Sequence, residues 1–296
     1  MRSMWWSFIV VAAVAGGCLL RTPEPAPQLA HPAVPSAVTD TESIGVTWIG
    51  HATVLIRIRD RWILTDPVLG KRIAKLLPRN VEAGIAPADV PPLDAVLISH
   101  AHFDHLDLPS LRQVPRTSIV MPSGALEFLP EDLALRGVGL RTWERWSHDG
   151  LTITAVPASH GDGRYIVDRW NHDTHTGFVI EYQGLTVYFA GDTGYVARDA
   201  AAIRARFAID VALLPIGPAG RAKWIERWRS DVHATPEHAL ELFTATGAQW
   251  MVPIHYDTFF QPRHYERPFL DRAIANAKLE RRVRVLGIGE TTEFLY

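Results

Sequence analysis

In the run Leu97-Ile98-Ser99-His100-Ala101-His102-Phe103-Asp104-His105, three histidines and an aspartate follow directly on apolar residues. Imidazole nitrogen and carboxylate oxygen are donors that suit a borderline divalent cation such as Zn²⁺. His100 and His102 alternate, so in an extended chain both face the same way, whereas Asp104 and His105 fall on the following turn and can serve a second point a few ångströms away. One loop can thus supply two metal centres. A lone His-X-His carries little weight, but the full string at the end of a buried run carries much more. The chain holds 13 histidines and a single cysteine, Cys18, so a disulfide framework and a cysteine-based zinc site within one chain are both excluded.

The elements that must position these groups are short. Apolar runs with turn residues at their ends predict strands at Val54–Ile58, Trp62–Thr65, Ala95–Ser99, Leu151–Val156, Phe178–Tyr182, Thr186–Ala190, Val211–Pro215 and Trp250–Ile254. Thr235-Pro236-Glu237 reads as an N-cap followed by proline at the first helical position, opening a helix that runs to about Thr246 and stops at Gly247. Glu266 to Ala277 is a second, weaker helix. Strands with helices distributed among them suit a single α/β domain over residues 44–296.

The 296 residues carry 47% hydrophobic and 21% charged side chains with a formal net charge of −2, which excludes wholesale disorder and gives no bulk basic charge for nucleic-acid binding. Met4 to Leu20 is apolar apart from Ser7, and Ala15-Gly16-Gly17 precedes Cys18, so residues 1–18 read as a lipoprotein-type signal that ends at an acylated cysteine. The alternatives are an uncleaved anchor or a plain cleavable signal. Residues 19–43, with Pro23, Pro25, Pro27, Pro32 and Pro35, form an extended tether. The expected location is the bacterial cell envelope, held to a membrane surface by the lipid. Nothing in the sequence fixes an oligomeric state.

Over residues 45–290 the chain resembles the metallo-β-lactamase superfamily, which implies an αββα sandwich with a two-metal site on loops at the edge of paired sheets. The family's further ligands match His160 in Val156-Pro157-Ala158-Ser159-His160, Asp192 in Ala190-Gly191-Asp192-Thr193 and His255 in Val252-Pro253-Ile254-His255, each after an apolar run. The resemblance assigns His100, His102 and His160 to a first metal and Asp104, His105 and His255 to a second, with Asp192 bridging. Two Zn²⁺ ions are implied, with Mn²⁺ or Fe²⁺ as substitutes. Two dications, two aspartates and a hydroxide leave a formal +1, which suits a phosphodiester or a developing oxyanion and implies hydrolysis, not redox chemistry.

A cysteine-ligated antibiotic hydrolase is disfavoured because Asp192 stands where that branch has cysteine. Thr47-Trp48-Ile49-Gly50-His51-Ala52-Thr53, Val211–Gly217, His233-Ala234-Thr235-Pro236-Glu237 and Ile254–Phe259 instead resemble the branch of N-acylphosphatidylethanolamine phospholipase D and the ascorbate-phosphate lactonases. By that resemblance His233, together with Asp104, is catalytic, His233 donating a proton to the leaving alkoxide. His51, Arg164 and Tyr256 would orient ligands or contact substrate. Arg164, Asp168 and Arg169 match the branch, but its pocket aromatics do not recur in Gly161–Gly163 or Asn171–His175, where His172, Asp173 and His175 read as a polar hairpin loop. Arg221 to Arg229 places Trp224 and Trp228 four apart among basic residues, a pattern that suits an anionic membrane or a lid. The expected substrate is a phospholipid or another small phosphodiester. A carboxylic ester or lactone hydrolase, and a metal-binding envelope protein without turnover, are the competing readings.

Overall fold

A computed structural model describes residues 23–25, 43–164, 172–217, 233–259 and 264–296. Its elements, in chain order, are β1 (Ser43–Gly50), β2 (Thr53–Ile58), β3 (Arg61–Thr65), β4 (Arg72–Ile73), β5 (Leu77–Pro78), β6 (Ala95–Leu97), α1 (Leu108–Gln113), β7 (Ser118–Pro122), α2 (Glu131–Ala134), β8 (Gly137–Leu140), β9 (Arg145–His148), β10 (Leu151–Val156), β11 (Gly177–Tyr182), β12 (Leu185–Phe189), α3 (Ala197–Arg204), β13 (Val211–Pro215), α4 (Pro236–Thr246), β14 (Trp250–Ile254), α5 (Arg267–Ala277) and β15 (Thr291–Leu295).

Seven strands in the order β15-β1-β2-β3-β6-β7-β8 make one sheet and six in the order β14-β13-β12-β11-β10-β9 make the other. The two-residue period of the strands sorts side chains between two cores. On β1 and β2, Ile44, Val46, Trp48, Val54, Ile56 and Ile58 enter the core shared with the second sheet. Ile49 and Leu55 face the opposite way, into a second core with Leu111 of α1 and Leu133 of α2. Leu240 and Phe243 of α4 and Leu270 and Ile274 of α5 join the first core from beyond the second sheet. The result is the expected αββα sandwich.

Strand direction explains where the chemistry gathers. β1 and β3 each pair antiparallel with β2, and β3 pairs parallel with β6, so β1, β3 and β6 run the same way. By the same parity β10, β12, β13 and β14 share one direction in the other sheet. The chain segments after β1, β3, β6, β10, β12, β13 and β14 supply all the candidate metal ligands and their supporting groups, and they emerge along one edge of the sandwich.

Helix α4 matches its predicted limits: the Thr235 hydroxyl accepts from the His238 amide, and Gly247 ends it with φ +74°. α5 starts one residue later than expected. Strands β1, β4, β5, β7, β8, β9 and β15 and helices α1–α3 lie outside the predicted set. β9 is an edge strand of mostly exposed Arg-Trp-Ser-His, and β15 is a largely exposed edge of threonine and glutamate, so neither carries an apolar run. Of the tether, Glu24 lies against the body, its N–H donating to the Asn80 carbonyl at 2.8 Å and its carbonyl accepting from the Glu82 N–H at 2.8 Å. The signal segment with Cys18, Asp168 and Arg169, and the Trp224/Trp228 segment lie outside the described residues. Among the described residues no helix is long and apolar enough to cross a membrane.

Candidate active site

The loop that follows β6 brings His100 and His102 together with His160, which the segment after β10 delivers; their donor atoms lie within 4.8 Å of one another. Asp104 and His105 of the same loop meet His255, from the end of β14, and also His51, from the end of β1. His51 stands where it can orient a ligand: its Nε2 is 3.1 Å from Asp104 Oδ2. Asp192, after β12, reaches both groups. Its Oδ1 is 3.0 Å from His255 Nε2, its Oδ2 is 3.4 Å from His105 Nε2, and it clusters with His160 and His233.

The tautomers argue for a cation. His255 Nδ1 donates to the Gly217 carbonyl at 2.8 Å, so its Nε2 carries a lone pair. His105 Nδ1 donates to Asp66 Oδ2 at 2.7 Å, and its Nε2 faces that of His255 at 3.2 Å. Two lone pairs that close repel unless a cation or a proton lies between them. His100 Nε2 and Asp192 Oδ1 are buried with no hydrogen-bond partner, although Ser99 Oγ holds His100 Nδ1 at 3.0 Å. Orphaned buried donors, with the opposite ring nitrogens anchored, are what a nitrogen- and oxygen-ligated metal site requires. The residues present therefore fit two metal ions.

Electrostatics agree. Burial and the neighbouring His255 lower the His51 pKa to about 3. Burial opposes it, but the carboxylates of Asp192, Asp104 and Asp66 hold the pKa of His105 well above the ordinary imidazole value. Burial would raise the Asp192 carboxyl, yet His255 and His105 hold it well below the usual carboxylate range. The cluster is thus a buried set of carboxylates that calls for positive charge, and His105 takes up a proton where a metal is lacking.

Asp66 is the main residue that sequence reasoning missed. Fully buried at the end of β3, it accepts from the Ser99 amide at 2.7 Å, from the Ser99 hydroxyl at 2.6 Å and from His105. A strand-end aspartate followed by proline was its only signal. Gly191 makes this possible from the opposite sheet: at φ +60° a Cβ there would lie 2.4 Å from Ser99 Cβ. His51, Asp66 and His255 themselves take positive φ of 58°, 35° and 65°, conformations that cost energy and that packing must hold.

The other named residues fall in different places. Arg164 is buried and donates to the carbonyls of Ala101 at 2.7 Å and Leu106 at 3.1 Å, clamping both ends of the histidine loop, while its guanidinium lies over the Phe103 ring. Tyr256 stacks on Trp48 and gives its hydroxyl proton to the Leu286 carbonyl, so that hydroxyl supports the core. His233, at the end of the described chain before α4, puts Nδ1 3.5 Å from Asp192 Oδ2 with 14% of its side chain exposed. Asp162 holds His172 and His175 at 3.4 and 3.0 Å, as the polar-loop reading expects. A cavity of about 550 Å³ opens beside the site, with Gly70, Arg72, Lys75, Phe103, Leu108 and Arg164 in its wall.

A family model described as a β-lactamase superfamily domain matches residues 61–256. A metal-dependent hydrolase of Methanoregula boonei is 32% identical over 220 residues, 72% of this chain and 82% of that protein. The N-acyl-phosphatidylethanolamine-hydrolyzing phospholipase D 1 of Caenorhabditis elegans is 27% identical over 237 residues, 72% of this chain and 64% of that one. The chain spans about two thirds of the length of the first curated relatives it matches. Among solved structures, the metallo hydrolase Igni18 from Ignicoccus hospitalis superposes with a TM-score of 0.63 at 26% identity, covering 86% of this chain and 99% of that one.

Proposed function

The chain belongs to the metallo-β-lactamase superfamily, and from that premise we propose that it is a metal-dependent hydrolase and, more finely, a zinc phosphodiesterase of phospholipase D type, acting on N-acylphosphatidylethanolamine-like lipids. The observation that carries this reading is His233 beside Asp192 at the rim of a complete donor set, together with the similarity to the nematode phospholipase. His100, His102 and His160 would hold one zinc and Asp104, His105 and His255 the other, with Asp192 between. The zinc pair would supply a lowered water pKa and charge stabilisation at the phosphoryl oxygens.

The protein's own groups do the rest. With two zinc ions set against Asp104 and Asp192 the site would carry a positive balance that draws the diester in, and Asp104, held by His51, orients the attacking water and accepts its proton. Water oxygen bonds to phosphorus, and the bond from phosphorus to the leaving alkoxide breaks. His233 gives that alkoxide a proton, and the nearby Asp192 carboxylate stabilises its imidazolium form beforehand. Arg164 keeps the loop carrying His100 to His105 rigid meanwhile.

Leaving-group dependence tests this assignment. His233→Ala should keep both metals by elemental analysis yet lose roughly 10²- to 10⁴-fold in turnover on a diester with an alkoxide leaving group. A nitrophenyl diester, whose leaving group departs unprotonated, should suffer far less. Equal losses on both would reassign His233 to positioning the phosphate. Release of carboxylate rather than phosphate monoester from a mixed panel would replace the phosphodiesterase by an ester or lactone hydrolase.

A further inference from the structure

The segment between Asp66 and Val81 is not consumed by the metal site. It projects as a hairpin in which Arg72 pairs with Pro78 and Ile73 with Leu77. The Leu76 amide donates to the Ile73 carbonyl at 2.9 Å, and Ala74 and Lys75 between them have φ +48° and +63°, the signs of a type I′ turn. The inner side is rooted: Ile73 is buried with Val68 and Phe259, and Phe103 of the histidine loop packs against them. The outer side is not. Leu76 is 61% and Leu77 44% exposed, next to Lys75, which makes no ion pair among the described residues, and to Arg72. Exposed leucines flanked by cations are the composition of a segment that seats in the headgroup region of an anionic bilayer.

A second observation lies on the same face. Lys71 at the hairpin base pairs with Glu82 at 2.8 Å, and the Glu82 amide bonds to the Glu24 carbonyl. Glu24 is six positions after Cys18, and six residues span at most about 20 Å. Glu24, in the described part of the tether, therefore lies beside the base of the hairpin. The cavity wall completes the arrangement, since Lys71, Arg72, Ala74 and Lys75 line the cavity that reaches Phe103 between His102 and Asp104.

We propose that the 71–78 hairpin docks on an anionic lipid surface, so that the Glu24 contact, the hairpin and the mouth of the cavity all lie against the membrane. This rests in part on the reading of the substrate as a phospholipid, and the test separates the two. The full chain is placed in vesicles of phosphatidylcholine with or without phosphatidylglycerol, and amide hydrogen exchange is followed across 71–78. In anionic vesicles the hairpin amides should exchange about tenfold more slowly than in neutral detergent. In the variant Leu76→Ser with Leu77→Ser that protection should vanish. The variant should also lose about tenfold in cleavage of vesicle-borne phospholipid diester while cleaving soluble bis(p-nitrophenyl) phosphate at the parent rate. Protection without phospholipid cleavage would uphold the docking and sink the lipid substrate. Equal exchange in vesicles and detergent would overturn the docking, and so would protection that rises with protein concentration in detergent, which would mark contact with a second copy.

Discussion

Asp66 shows how far a residue outside the ligand set controls that set. Its carboxylate fixes His105 in the tautomer that leaves Nε2 free, and through Ser99 it reaches His100. Asp66→Ala should lower metal affinity roughly 10- to 100-fold, the usual effect of losing a carboxylate behind a ligating histidine. Titration with a competing chelator would read this directly, and unchanged affinity would remove Asp66 from the metal's support. Histidine ligands must be neutral to bind, so affinity in the parent should fall as pH drops through the imidazole range. Asp66 is one of the carboxylates that raise the His105 pKa, so without it protons compete less at that ligand and the fall should begin at lower pH.

At the level of elements, the histidine loop is held by Arg164 and by its own Ala101 and Leu106, which are buried with Leu111 of α1 in the second core. Arg164→Ala removes two hydrogen bonds to loop carbonyls and the guanidinium over Phe103. Arg164→Lys cannot restore the forked pair of contacts. Both variants should lose activity on soluble and lipid substrates alike, with the alanine variant no worse than about threefold below the lysine one. Full activity of the lysine variant would show that charge alone suffices. A purely structural cap behaves differently: Gly247→Ala forces a side chain into φ +74° at the end of α4 and should cost about 1–2 kcal/mol. For a domain of this size that is a fall of a few degrees in Tm, read by thermal denaturation, with kcat preserved.

For the whole molecule, the expected anchoring of the chain is tested at Cys18. We expect Cys18→Ser to release the protein from the membrane fraction or to leave an unprocessed precursor, because the lipid would be the anchor. Mass spectrometry of the fractionated protein reads the outcome. Unchanged mass and full membrane retention would favour the uncleaved apolar segment instead.

What the sequence alone determined is local. The string His100 to His105 announces its donors because metal ligands cluster on one loop, and α4 is legible to the residue because capping depends on Thr235, Pro236 and Gly247 themselves. Most of the buried strands are equally plain, since burial favours apolar runs, although the buried β1 and β7 went unread. The tertiary structure alone decided which distant residues converge. Asp66 lies 39 positions before His105, and no periodicity links them. Their contact follows from β3 and β6 being parallel neighbours whose ends open on the same edge. That the ligand beside His51 is Asp104 follows for the same reason, as β1 runs with β3. Edge strands such as β9 and β15 stayed invisible because a strand with one solvent face and one partner needs no apolar run, only a neighbour to complete its hydrogen bonds.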